Sequence, residues 1–382
     1  MTTHTYVPGL AGVPVTESEI SYVDGQKGSL EYCGIDIEVL AEKSSFEETC
    51  YLLLHRRLPN REEFDQFNFS LSHHRRIKYS IRDMIKCYPD AAHPMDALQA
   101  GSAALGMFYP LADQEDQVQA QKDLDMAAIR LIAKMPTLVA AHARMRVGDD
   151  PITPRDDLSH AANFLYMLRG EEPSALEARI MDVAFIVHAE HTINASTFSA
   201  MVTASTLANA YTVISSAIGT LSGPLHGGAN EDVLNMLDDI DHVADTEAYM
   251  YQKLKRKEKI PGLGHRIYKT KDPRATLLQK LYFELSTQGG PDLNYEKAKI
   301  IESVAAEILG PKGICPNVDF YSGTVYRKLG ISPDLFTPIF AVARVAGWLA
   351  HWKEQLGNSR IYRPQQIYIG QHRQAYTPIE QR

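Results

Sequence analysis

Tryptophan is scarce in this chain, with two in 382 residues, and cysteine nearly so. The four cysteines, Cys33, Cys50, Cys87 and Cys315, lie far apart and never as CxxC. That spacing excludes a disulfide framework or a zinc ribbon and leads us to expect reduced thiols in a cytoplasmic protein. The opening "MTTHTYVPGLAGVP" has neither a basic start nor an apolar run, so export is not expected. No window holds the roughly 18 to 20 continuous apolar residues of a membrane span. There is also no G-x-x-x-x-G-K-[ST] and no G-x-G-x-x-G, which removes the two common phosphate-binding loops. Positive charge is in deficit, the net charge being −8, and this argues against general nucleic-acid binding.

One absence is local. From Thr192 to Leu225 the chain carries no Asp, Glu, Lys or Arg, yet it is rich in Ser, Thr and Asn. This reads as buried helices of a soluble protein, with small side chains that allow close approach, either inside the core or against a second subunit.

What is present is mostly helix. "ISYVDGQKGSLEYCG" alternates apolar and polar residues about Asp24-Gly25 and predicts a hairpin near the start. Ser45 with Glu48, and Ser174 with Glu177, form S-x-x-E capping boxes ahead of "FEETCYLLLHRR" and "ALEARIMDVAFIVHAEH". Helical periodicity continues through 96–109, 117–145, 231–240, 272–286, 295–309 and 333–356, and Pro136 should kink or end the second of these. The fold class is therefore all-α with a small N-terminal β-hairpin. At this length one large domain carrying a smaller, embedded one is expected. Gly and Pro around 223–228 and 330–338 mark hinge positions and divide the chain into 1–222 (large domain, first part), 223–328 (small domain) and 329–382 (large domain, C-terminal part).

The chemistry concentrates at a few places. Lys253 to Arg274, "KLKRKEKIPGLGHRIYKTKDPR", sets nine Lys or Arg against two acids. Such a run is either a solvated basic face or an anion site. The glycines of "PGLGH" and a helix start at Asp272-Pro273, which puts Arg274 in a first turn, fit an anion site. His226 in "SGPLHGGAN" and His265 in "PGLGH" each have a glycine neighbour at a turn, and either could be structural or functional. Asp319 in "CPNVDFYSG" alone reads as a first-turn acid of a capped helix. His188 and His191 stand three apart on one helix end, but neither H-E-x-x-H nor a third ligand accompanies them, so no metal site is expected.

Taken in order, "HAEHTINAS", "GPLHGGAN", "PGLGHRIYKTKDPR", "NVDFYSG", "ARVAGW" and "RPQQIYIG" resemble the citrate synthase family. The resemblance implies a two-domain helical fold with a closing cleft, assembled as a homodimer or as an assembly of such dimers, with no nucleic-acid or membrane partner. It implies an acyltransferase that condenses acetyl-CoA with oxaloacetate and hydrolyses citryl-CoA, as at the entry to the tricarboxylic acid cycle. No metal and no permanently bound cofactor are implied, acetyl-CoA being a co-substrate. By motif match Asp319 is the base, His226 the donor to the thioester oxygen, and His265 the residue that polarises the oxaloacetate carbonyl. Arg274, Arg344 and Arg363 match the substrate carboxylate ligands, with His191 a further contact and Arg363 reaching across from the partner subunit. The backbone at Leu263 and Gly264 would take the adenine of coenzyme A, and Lys269 a phosphate.

Two departures are visible. The chain begins directly at the hairpin, so the extra N-terminal domain of the NADH-inhibited bacterial enzymes is not expected. "HAEHTINAS" lacks the Gly-Gly of mitochondrial-type members and looks like the short bacterial or archaeal form. 2-Methylcitrate synthase, which uses propionyl-CoA with the same catalytic set, is the alternative activity. A coenzyme A-binding helical assembly without turnover would be expected to lack Asp319, His226 or His265.

Overall fold

A computed structural model describes residues 6–110, 117–287 and 292–382. Three short antiparallel strands come first: β1 (Ser21–Asp24), β2 (Ser29–Tyr32) and β3 (Ile35–Asp36), in the order β1-β2-β3. Helices then take over: α1 (Ile37–Lys43), α2 (Phe46–His55), α3 (Arg61–His73), α4 (Tyr79–Lys86), α5 (Pro94–Phe108), α6 (Gln117–Met145), α7 (His160–Arg169) and α8 (Ala175–His188). The second half holds α9 (Ala195–Ala204), α10 (Ala210–Leu221), α11 (Ala229–Asp238), α12 (Thr246–Lys255), α13 (Pro273–Thr287), α14 (Leu293–Ile308), α15 (Val318–Lys328) and α16 (Phe336–Gly357). The expected all-α class with a small sheet is what the chain adopts, with β3 as an unforeseen third strand.

Local chemistry explains the boundaries. The hairpin tip is the four residues 25–28, because the Asp24 carboxylate accepts the amides of Gln26 and Lys27, both at 3.0 Å, while Gly28 N–H returns to Asp24 O at 2.8 Å. Ser174 and Glu177 form the expected reciprocal capping box. At Ser45 only half of it forms. Ser45 Oγ accepts the Glu48 amide, but the Glu48 carboxylate takes the hydroxyl of Ser44 at 2.7 Å. Pro136 does not end its helix: α6, 29 residues long, continues past it to Met145. Proline removes one bond, that from position 136 to the carbonyl of Ile132. Buried neighbours on both sides, Leu131, Ile132, Met135, Leu138 and Val139, hold the helix through the gap.

The core is built around α16, whose residues from Phe336 to Trp352 are almost all buried; it packs on α2, α6, α8, α9 and α10. The charge-free segment forms α9 and α10, which pair with each other, and α10 also packs on α5. Ala200, Ala204, Val213, Ile214 and Ala217 go into the core, whereas Val202 and Leu207 remain exposed. A second group of helices, α11, α13, α14 and α15, packs mutually, with α12 on α14. After α16 the chain runs from 358 to 382 in mostly exposed, extended conformation and carries exposed Ile361, Ile367, Tyr368, Ile369, Tyr376 and Ile379. No helix among the described residues is long and apolar enough to cross a membrane.

Candidate active site

Three turns and one helix meet where the two helix groups join. The first turn follows α8 and carries His191, which is buried and whose Nε2 lies 3.1 Å from the Tyr268 hydroxyl. Burial, with Arg274, His265 and Arg344 nearby, holds its pKa well below the ordinary histidine value.

The second turn follows α10 and carries His226. Gly227 is needed there, since a Cβ would overlap the carbonyl oxygen of Leu221 and lie 2.7 Å from Thr337 Cγ2. The Ser196 amide, at the start of α9, donates to His226 Nε2 at 3.2 Å. An amide N–H has only the donor role, so Nε2 is the unprotonated nitrogen and Nδ1 carries the hydrogen. Burial pushes the imidazole pKa down to about 4, and the ring is neutral at pH 7.

The third turn, 261–268, holds His265. Its Nδ1 accepts two amides, from Ile267 at 3.1 Å and Tyr268 at 3.2 Å. The same argument makes Nε2–H the free donor, again on a neutral ring, with the pKa pushed down to about 4 by burial and Arg274. The His265 and His191 rings meet edge-on with centroids 5.2 Å apart. This turn is fastened to the segment before α15. Gly264 N–H donates to Cys315 O at 2.8 Å and Asn317 N–H to Gly262 O at 2.9 Å. Asn317 Nδ2 donates to Gly264 O at 2.8 Å. Gly262 has φ +73°, and a Cβ on it would lie 2.9 Å from Phe320 Cα, so glycine alone permits the approach.

Asn317 also caps α15 by accepting the Asp319 amide at 3.0 Å. Asp319 is half-buried. Desolvation pushes its pKa up to about 6, against the downward pull of Arg274 and Arg344.

Two buried arginines complete the cluster. Arg274 is held from two directions by Asp272: Oδ1 accepts Arg274 Nε at 3.0 Å and Oδ2 accepts Nη2 at 2.7 Å. Arg344, 1% exposed on α16, gives Nε to the carbonyl of His188 at 2.7 Å, while its Nη2 has no partner. An unpaired buried guanidinium is costly unless an anion is to be received there.

Six of the sequence-expected residues are thus brought together: His191, His226, His265, Arg274, Asp319 and Arg344. Arg363 is not. It lies in the exposed C-terminal segment, and its one hydrogen bond is to the neighbouring Pro364 O. Lys269 is exposed without an ion pair, its amide bonded to Gly25 O at the hairpin tip. Of the backbone groups expected to meet adenine, Leu263 N–H, Gly264 N–H and Gly264 O are already hydrogen-bonded within the chain. His188 turns Nδ1 to Ala184 O at 2.7 Å, away from His191, and no metal-holding group of three His, Cys, Asp or Glu occurs among the described residues.

The sequence model described as "Citrate synthase, C-terminal domain" matches residues 9–365 of this chain. The chain belongs to the citrate synthase family. It is 56% identical over 374 residues to a citrate synthase of Synechocystis sp., covering 98% of this chain and 93% of that one. With a citrate synthase of Haloferax volcanii it shares 46% identity over 376 residues, 98% of each chain. In three dimensions it matches the citrate synthase of Pyrobaculum aerophilum with a TM-score of 0.92 at 39% identity, covering 98% of this chain and 95% of that one. The Thermoplasma acidophilum citrate synthase, solved as a ternary complex with carboxymethyl coenzyme A and oxaloacetate, matches with a TM-score of 0.90 at 30% identity, covering 97% and 98%.

Several residues packed around this cluster had no separate signal in the sequence. Ser196, 30 positions before His226, sets its tautomer. Tyr268 braces His191. Asp272 was expected only as a helix cap. Glu190, wholly buried between His188 and His191, stands inside a quoted motif with no role assigned to it.

Proposed function

We propose that the chain is a citrate synthase that condenses acetyl-CoA with oxaloacetate and hydrolyses the citryl-CoA formed. The observation that carries this is the juxtaposition of a buried, incompletely paired Arg344 with Arg274, a neutral His265 offering Nε2–H, and a carboxylate of raised pKa, Asp319. Two guanidinium groups suit a dicarboxylate, which they bind in directed, charge-assisted fashion.

Each step has a group to serve it. Asp319 takes a proton from the methyl carbon of the thioester while His226 Nδ1–H donates to the thioester oxygen, so that charge develops against a fixed donor. The enol carbon attacks the ketone carbon of oxaloacetate, His265 Nε2–H passes its proton to the ketone oxygen as that becomes a hydroxyl, and the proton that Asp319 took from the methyl carbon is released to make the ring good, which restores both groups. Water then cleaves the thioester, giving citrate, and the coenzyme A thiol departs with a proton. With its pKa pushed down to about 4, each ring is neutral at pH 7 and offers a single N–H, the one on the nitrogen not bonded within the chain.

Arg363 fits the same reading as a residue supplied to the neighbour's site in a homodimer. Its exposure, and the run of exposed apolar side chains on the segment that carries it, support an arm lying on a second copy. Residues 223–328 would then form the small domain that closes on the substrates. Lys269, exposed and unpaired, would meet a coenzyme A phosphate, and a reduced, cytoplasmic setting accords with four free cysteines.

The deciding experiment is steady-state kinetics with oxaloacetate and either acetyl-CoA or propionyl-CoA, following release of the coenzyme A thiol. We expect kcat/KM to be higher for acetyl-CoA. A higher value for propionyl-CoA would make the chain a 2-methylcitrate synthase, and no thiol release with either would overturn the reading.

A further inference from the structure

Glu190 is wholly buried, and a buried carboxylate needs compensation. Its Oε1 accepts hydrogen bonds from Ser21 Oγ at 3.0 Å and from His351 Nε2 at 3.1 Å, whereas Oε2 has no hydrogen-bond partner. Arg344 is its counterpart, a buried guanidinium with Nη2 unpartnered. Each acts on the other through space: Arg344 helps pull the Glu190 carboxyl pKa down, and Glu190 is the strongest influence holding Arg344 up against burial. Yet the two form no ion pair within 4.0 Å.

The geometry that keeps them apart lies on one stripe of α16. Arg344, Gly347, Trp348 and His351 are spaced i, i+3, i+4 and i+7, so all four face the same way. That face meets residues 188–196. Arg344 Nε bonds His188 O at 2.7 Å, Trp348 Nε1 bonds Ser196 Oγ at 3.3 Å, and His351 holds Glu190. A Cβ at Gly347 would overlap both Glu190 Oε2 and the Ala189 carbonyl, so the glycine lets the turn lie directly on the helix. The Tyr32 hydroxyl fixes the backbone of the same turn: it donates to Glu190 O at 2.9 Å and accepts from Glu190 N–H at 3.1 Å. Glu190 is therefore tethered through Oε1 by β1 and by His351, two turns of α16 beyond Arg344.

We propose that Glu190 is a positioning residue for substrate binding: a buried counter-charge that Ser21 and His351 restrain from pairing with Arg344, so that the guanidinium stays free for a carboxylate of oxaloacetate. Release of that tether would let Glu190 collapse onto Arg344 and compete with the substrate from within. The inference rests on the oxaloacetate reading above, and wild-type turnover with oxaloacetate, measured first, tests that reading separately.

The experiment is a cycle of His351→Leu, Glu190→Gln and the double variant, with thermal unfolding recorded for each. His351→Leu should raise the oxaloacetate KM by about fivefold or more, as for coupled neighbours in one network, with the acetyl-CoA KM within about twofold. Glu190→Gln alone should leave the oxaloacetate KM equal or lower, since an amide keeps the shape and cannot pair as an ion. Adding Glu190→Gln to His351→Leu should return the oxaloacetate KM to near the wild-type value. A purely structural role gives the opposite pattern, the double variant being as impaired as His351→Leu or more so. That result, an unchanged KM in His351→Leu, or a raised one in Glu190→Gln alone, overturns the proposal. If His351→Leu does not fold, Ser21→Ala replaces it in the same cycle, since it removes the other tether from a partly exposed strand, and the same pattern of rise and rescue decides.

Discussion

Replacing Asp319 by Asn should separate catalysis from stability, and the two effects should run in opposite directions. Burial raises the carboxyl from 3.8 to about 6, so the native state holds the ionised form at a disadvantage relative to the unfolded chain. At pH 7 the group is ionised in both states, and a difference of about two pKa units corresponds to at most about 3 kcal/mol. The downward pull of the two nearby arginines is already contained in that difference; partial exposure reduces it further, and we expect about 1 to 3 kcal/mol. The sign follows from linkage. A raised native pKa means that the native state is best served below 3.8, where both states are protonated, and loses ground as the pH climbs through 6. Asp319→Asn is free of that loss, so it should be more stable than wild type at pH 7 to 8, with the gap closing between pH 6 and 4. Turnover should fall by roughly 10² to 10⁴, the usual value of a general base, because the amide fits the cap of α15 but cannot take a proton. Denaturant unfolding of both proteins at pH 4.5 and 7.5, with initial rates under saturating substrates, measures both. A variant that keeps more than about a tenth of wild-type turnover, or that gains stability as the pH falls, refutes the reasoning.

The acid limb of wild-type kcat/KM for acetyl-CoA should follow one ionisation near pH 6, falling about tenfold from pH 7 to pH 5; a limb centred near 4 would point to the histidines instead. Isolated mixed dimers of Arg363→Ala with Asp319→Asn should recover activity that neither parent has, since one site would then be complete; their inactivity would rule out a shared site. Lys269→Ala should raise the acetyl-CoA KM and flatten its salt dependence, exposed phosphate contacts being screened over about 10 Å at 0.1 M salt; equal KM values at two ionic strengths would take Lys269 out of the site. Gly262→Ala should lower both stability and turnover, because a Cβ at φ +73° would press on Phe320, and a variant with wild-type unfolding and kinetics would show that the loop yields.

The parts of the fold that were readable in the sequence are those fixed by neighbours along the chain. The hairpin, the Ser174 cap and the Asp272-Pro273 start of α13 each depend on residues within a few positions. Pro136 was expected to kink or end its helix, and it does not end it because a local rule met a helix whose faces are held by long-range packing. The half-formed box at Ser45 failed for a smaller reason, a competing hydroxyl one residue away. For the site, motif order pointed to the six residues that converge, but not to how each is set. The His226 tautomer depends on an amide 30 residues earlier, and Arg344 Nη2 is unpartnered while the carboxylate 154 residues before it is bonded to Ser21 and His351. Short polar links between distant segments leave no periodicity, so no window of sequence displays them.

The fastening of the 261–268 turn to the segment before α15 has a kinematic consequence. Three hydrogen bonds join the stretch that carries His265, proposed to polarise the carbonyl, to the stretch that leads into Asp319, proposed to be the base. While these bonds hold, any motion of one stretch relative to Arg344 carries the other with it. Alignment of the enol-forming and ketone-activating groups is then one coordinate rather than two. On the roles proposed above, an approach that delivers the proton acceptor without the electrophilic partner, and so a route to idle exchange of the thioester methyl protons, would require these hydrogen bonds to break.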